Sequence, residues 1–264
     1  MKKLFSSLIL FTFLSTQLVF ADSKNYDEKI NDWKNRSDQA EHWSFTDLSH
    51  HITQDLKYSF LNPYHFTGLA VAVPLLVTLG DHDQTIQNKF FPRRPLGKKF
   101  DDIMSIGTHP AVLGGATLLT LGISELAHWE KAAVTSGTML EALAVSEALT
   151  MGLKYTVNRD RPDGTSRSFP SAHATGVFAL ASVAEIYYGP WVGIPAYSLA
   201  ALSGLSRMDA NKHFASDVAV GALIGTMIGL GTAKYHKKIF SKVFLLPAYD
   251  PDTDETGFKI ISPF

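Results

Sequence analysis

The chain contains no cysteine in 264 residues. That absence excludes disulfides, Cys-ligated zinc, a thiol nucleophile and a Cys-anchored lipoprotein. Charge of one sign is missing too: 24 Lys and Arg stand against 25 Asp and Glu, a formal net charge of −1. Nucleic-acid binders carry a basic excess, so no nucleic-acid partner is expected. Charged residues are sparse at 19% against 45% hydrophobic, which excludes a disordered chain. There is no internal repeat and no low-complexity tract. A mean hydropathy of +0.03 is low for a chain that mostly crosses membranes and high for an ordinary soluble domain.

What is present begins with an address. Lys2 and Lys3 precede an apolar run over 4–20, and polar sequence starts at Asp22. Val19 and Ala21 occupy the small-residue positions before a signal-peptidase cut, so cleavage is expected after Ala21. An uncleaved anchor is the alternative, because the run is near the lower length for a span. A cleaved signal makes the chain an exported one, working in the periplasm or at the periplasmic face of a membrane. The expected organisation is a signal peptide over 1–21, a polar arm over 22–60, a helical catalytic domain over 61–243 and a tail over 244–264.

The domain reads as all-α, a bundle of about six helices by apolar length and helix-former content. Apolar or Ala-rich runs cover 66–80, 103–124, 132–153, 172–188, 191–206 and 214–233. A charged connector covers 81–102, and two β-like stretches in the tail (244–249 and 258–262) predict a short hairpin. Several runs approach the ~20 residues of a membrane span and are rich in small residues. Glu141 and Glu147 would be costly in mid-bilayer. Three crossings would also carry the chemical residues of an exported chain into the cytoplasm. Either one early segment fails to span, the proline-broken 66–80 before the others, or none spans; a non-spanning or peripherally attached bundle is the expected arrangement.

Three segments carry chemistry, each at a helix end. They are Lys154 to Arg161-Pro162, then Pro170-Ser171-Ala172-His173, then Ser206-Arg207 to His213 and Asp217. Ser171 is a natural N-cap, and helices opening after Ser171 and His213 would turn two N-termini to one pocket. Helix N-termini offer unpaired N–H groups and partial positive charge to an anion. With Lys154, Arg161 and Arg207 added, the expected ligand is a tetrahedral oxyanion. His213 and Asp217 are four apart and share a helical face, so the carboxylate orients the imidazole. A neutral imidazole attacking phosphorus gives a phosphohistidine, and His173 protonates the leaving alkoxide. Guanidinium and ammonium groups neutralise the phosphoryl oxygens, so no metal and no other cofactor is expected.

These motifs resemble the type 2 phosphatidic acid phosphatase superfamily, with its bacterial class A acid phosphatases and vanadium-dependent haloperoxidases. Lys154, Arg161 and Pro162 match its Lys-x6-Arg-Pro pattern. Pro170, Ser171 and His173 match its Pro-Ser-Gly-His, with Ala172 in the glycine position. Ser206, Arg207, His213 and Asp217 match its Ser-Arg-x5-His-x3-Asp. The resemblance covers roughly 130–235. It implies a helical fold, His213 as nucleophile oriented by Asp217, and His173 as acid. It implies that Lys154, Arg161, Ser171 and Arg207 hold phosphate. Alanine at 172 is harmless if only its N–H is used and the residue starts a helix in ordinary geometry.

The expected function is hydrolysis of phosphomonoesters or pyrophosphates, with a lipid phosphate or a soluble phosphorylated small molecule as partner and contact with a membrane. The alternatives are a vanadate-dependent haloperoxidase and a non-catalytic anion-binding protein. Other features read as bland. Asp81-His82-Asp83 is expected to be a polar turn, and Lys89 with Arg93-Arg94-Pro95 surface charge. His50-His51 reads as surface, and Trp33 and Trp43 as packing residues.

Overall fold

A computed structural model describes residues 63–239, 245–250 and 255–260, together with Thr53, Lys57 and Ser59. The signal peptide, His50-His51, Trp33 and Trp43 lie outside the described residues. Eight helices fill the described part of the bundle: α1 (Pro63–Asp81), α2 (Asp83–Phe90), α3 (Lys98–Gly107), α4 (Pro110–Leu126), α5 (Glu130–Val157), α6 (Ala172–Tyr188), α7 (Pro190–Asp209) and α8 (Ala215–Ile239). The count exceeds six for two local reasons. The charged connector folds into α2 and the start of α3. The run over 103–124 is broken before Pro110, which takes the first helical turn of α4 and bends the pair by 47°. The tail forms the antiparallel hairpin β1 (Leu245–Asp250) and β2 (Glu255–Ile260), with Leu245 opposite Ile260 and Asp250 opposite Glu255.

Helix α6 is the central element and packs against α4, α5, α7 and α8. Its inward residues are small: Ala174, Ala179 and Val183 are fully buried. Helix α8 matches it with Gly221, Gly225 and Gly229, one per turn. A Cβ on Gly225 would stand 2.1 Å from the Thr175 carbonyl oxygen, and one on Gly229 2.4 Å from that of Ala179. Only hydrogen fits there, so α8 lies backbone against backbone on α6. That contact holds the start of α8 beside the start of α6.

The apolar core has two parts. Ile86, Phe91, Val177, Phe178, Tyr197, Met208 and Val218 form the layer under the motif-bearing helix ends. Ala142, Val183, Ile224, Ile228 and Ala233 continue it along the bundle. Of the two costly glutamates, Glu141 is answered by His236 Nε2 at 2.9 Å. Outside this core, α4 and α7 expose Leu118, Leu119, Ile123, Val192, Ile194, Leu199 and Leu202. Among the described residues one helix is long and apolar enough to cross a membrane, α8 over Ala215–His236, and it is mostly buried inside the bundle. The bent α3–α4 pair passes the same test when taken as one segment.

Candidate active site

Helix α5 stops at Asn158, which adopts the left-handed conformation (φ 45°) and donates its N–H to Lys154 O at 3.1 Å. Lys154 therefore sits in the last turn, buried, with Nζ 2.9 Å from Arg167 O. The chain then makes a tight loop. Ser168 N–H bonds Arg159 O at 2.7 Å, and Arg161 N–H bonds Thr165 O at 2.7 Å. Arg161 Nε bonds Ser166 O at 3.1 Å, which fixes the guanidinium over the loop. Lys212 ties this loop to the α7–α8 connection through Asp163 at 2.7 Å.

Ser171 is the N-cap of α6, and its hydroxyl accepts the Ala174 N–H at 3.4 Å. Ala172 is the first helical residue and has no positive φ, so alanine is unstrained in the glycine position. The Ala172 and His173 N–H groups are the open amides of this first turn. His173 Nε2 is 3.1 Å from Ser105 O, just before the α3–α4 break. The break makes this contact available, because His109 N–H turns to Ile106 O at 3.2 Å rather than to Ser105. The His109 ring also stands edge-on to His173, centroids 5.5 Å apart.

Arg207, in the last turn of α7, is 5% exposed and pairs with Asp101 at 2.9 Å. Its Nε is buried with no hydrogen-bond partner among the described residues. Asp101 also takes Arg94 at 3.2 Å, and the Leu96 N–H bonds Asp209 at 3.0 Å. Arg94 is thus latched to the end of α7 rather than being plain surface charge.

His213 is 3% exposed, and its Nδ1 is 3.8 Å from Asp217 Oδ2. That is an electrostatic distance rather than a hydrogen bond. Asp217 Oδ2 instead accepts the Ser168 hydroxyl and, at 2.8 Å, the Phe214 N–H. Oδ1 accepts Arg159 at 2.9 Å. The start of α8 departs from the expected open anion seat. Its amides are filled by carboxylates: Phe214 N–H by Asp217, and Ser216 N–H by Asp83 at 2.9 Å. Acidic side chains here satisfy the free donors and the positive end of the helix. The open helix terminus is that of α6.

Electrostatics follows from this crowding of cations. Burial, aided by Arg161, pulls the Lys154 ammonium down to about 8. Burial, then Arg207, pushes His173 down to about 3. Burial depresses His213 to about 4, against the pull of Asp217, and Lys154 and Arg161 add to the depression. Burial works to raise the Asp217 carboxyl, but His213, Ser168, the Phe214 N–H and Arg159 hold it below the usual range. Both imidazoles are therefore neutral at pH 7. Lys154, Arg161, Arg207, His173 and His213 act on one another electrostatically, so the structure brings the three segments to one end of the bundle.

The PAP2 superfamily model matches residues 136–241, a stretch holding every one of these residues from Lys154 to Asp217. Residues 136–241 are thus similar to the PAP2 superfamily. The chain is 41% identical over 101 residues to a lipid A 1-phosphatase of Porphyromonas gingivalis, covering 35% of this chain and 23% of that protein. It is 35% identical over 96 residues to a decaprenylphosphoryl-5-phosphoribose phosphatase of Mycobacterium tuberculosis, covering 32% of this chain and 52% of that protein. The chain thus spans about half or less of the length of these relatives. The fold is similar to the crystal structure of a transmembrane PAP2-type phosphatidylglycerolphosphate phosphatase from Bacillus subtilis, with TM-score 0.50, 22% identity, and coverage of 67% of this chain and 98% of that one.

Four residues at the site were missed by the motif reading: Asp83, Asp101, Arg159 and Ser168. Arg159 had a signal, since it lies two residues before Arg161. Asp83 had none beyond the triplet read as a polar turn; it is 3% exposed and bonded to α8.

Proposed function

We propose that the chain is a phosphatase that hydrolyses a lipid phosphate or pyrophosphate through a phosphohistidine on His213, outside the cytoplasm and in contact with a membrane. The observation that carries this is the orphaned buried donor Arg207 Nε, in a site shared with Lys154, Arg161 and His213. Buried donors without partners are costly, and a tetrahedral oxyanion supplies the partner. Lys154, Arg161, Arg207 and the open amides of Ala172 and His173 take the nonreacting oxygens.

The Nε2 lone pair of neutral His213 attacks phosphorus, and the phosphorus–oxygen bond to the alcohol breaks. His173, protonated, gives its proton to the departing alkoxide. Free His173 is neutral, largely through burial and Arg207. A bound phosphoryl anion offsets the Arg207 charge, so the proton is taken up with the substrate. Water then attacks the phosphohistidine, giving its proton to His173. The phosphorus–nitrogen bond breaks and returns its electron pair to His213.

A lipid substrate is supported by Leu96, Ile103 and Ile106. These exposed apolar side chains lie close along the chain to Asp101 and Ser105, which touch Arg207 and His173. The names of the relatives point to the same class of substrate. The test is capture of an acid-labile phosphoenzyme during turnover. It is expected in the parent chain and absent in His213→Ala. Equal labelling of both chains refutes the nucleophile.

A further inference from the structure

We infer that Asp83 and Arg159 are positioning residues, a carboxylate–guanidinium–carboxylate clamp that sets Asp217 and the first turn of α8 behind His213; the inference rests on His213 being the nucleophile. Arg159 occupies an unspecified position inside the first motif segment, and Asp83 lies outside all three. Arg159 Nη2 is 2.9 Å from Asp83 Oδ2, and Nη1 is 2.9 Å from Asp217 Oδ1 and 2.8 Å from Ser216 Oγ. Asp83 also receives the Ser216 N–H at 2.9 Å and the Ser216 hydroxyl. The Arg159 guanidinium lies over the Phe214 ring at 4.4 Å, which adds a cation–π contact on a third side. Asp83 is 3% exposed and Asp217 0%. Two buried carboxylates sharing one guanidinium need it for charge compensation.

The geometry explains why such a clamp matters. Asp217 Oδ2 is shared by Ser168 and Phe214 N–H and faces His213 Nδ1 at 3.8 Å. Rotation of that carboxylate about its bond to Cβ decides whether Oδ2 reaches the imidazole. The Arg159 contact on Oδ1 opposes that rotation. Asp83 then anchors Arg159 and, through Ser216, the helix that carries Asp217. Arg159 is supplied by the loop after α5 and Asp83 by α2, so the clamp ties three separate elements together behind the nucleophile.

Charge gives a readout that packing alone would not move. The groups acting on His213 are Lys154 from α5, Arg161 from the loop and Asp217 on α8, with His173 of α6 facing it. Arg159 offsets the Asp217 charge from behind. Without Arg159 the carboxylate acts on the imidazole more strongly, and the imidazolium becomes easier to form.

The experiment is NMR titration of the His213 ring in the full chain, beside steady-state kinetics, for Arg159→Gln, Arg159→Lys and Asp83→Asn. Arg159→Gln is expected to raise the His213 midpoint by about half a pH unit or more. It is expected to lower kcat about tenfold with KM changed less than about twofold. Arg159→Lys, which reaches one carboxylate at a time, should recover part of both effects. Asp83→Asn keeps the shape of the clamp and should lower kcat with KM unchanged. An unmoved His213 midpoint in folded Arg159→Gln overturns the clamp. So does a Lys variant that behaves as Gln does, or a kcat unaltered in Asp83→Asn. The titration needs no turnover, so a chain without phosphatase activity would refute the proposed function while leaving the clamp to be judged on the ring alone.

Discussion

His173 and His213 hold their protons so weakly because burial keeps water from them and neighbouring cations add to the effect. The folded values near 3 and 4 lie below the ordinary 6.5 of the unfolded chain. Between those values the unfolded chain binds protons that the folded chain refuses. Stability from these rings is therefore full above about pH 6.5 and is lost as pH falls towards 4. Thermal unfolding followed from pH 7 to pH 4.5 should show a steeper decline in the parent chain than in His213→Gln; equal slopes would contradict the burial account. His173→Ala should lose turnover on alkyl phosphates and lose less on esters of acidic phenols, which leave without a proton. Equal losses across the leaving-group series would remove His173 as the acid. The residues behind these predictions were legible from spacing, because Lys154, Arg161, Ser171, His173, Arg207, His213 and Asp217 sit at helix ends that sequence punctuation marks. Asp83 and Arg159 were not. Their partners are 133 and 58 positions away along the chain, and no local pattern encodes such a pairing.

At the scale of the element, the contact between α6 and α8 sets the distance between the two histidine-bearing ends. Gly225 leaves no space for a methyl group against Thr175 O. Gly225→Ala should therefore force the helices apart, at a cost of about 1–3 kcal/mol. Its melting temperature should fall and kcat should fall with it, whereas Gly115→Ala, where a Cβ meets nothing within 4 Å, should do neither. Helix positions were legible because apolar runs and their breakers were clear. The 47° break in the run over 103–124 was harder to see. Pro110 marks it, but its consequence, a free Ser105 carbonyl for His173, depends on how α3 packs on α7 and cannot be read from a one-dimensional pattern. The expectation of two open helix N-termini failed for a similar reason. One of the two carboxylates that fill the start of α8, Asp83, comes from α2, a segment whose charges looked like an ordinary solvated connector.

At the scale of the molecule, a cationic site sits at one end of a bundle that exposes apolar side chains on α3, α4 and α7. That arrangement fits a substrate with a charged head and a hydrocarbon body. Replacing Ile103 and Ile106 with serine should raise KM for lipid phosphates several-fold and leave a soluble ester unaffected, with kinetics on both substrates as the check. The most direct test of the central claim is release of inorganic phosphate from matched lipid and soluble esters by the purified chain, with chelator present and His213→Ala alongside. Release is expected to favour the lipid esters, to survive the chelator and to be absent from His213→Ala. Release abolished by chelator, or equal in His213→Ala, would contradict the claim.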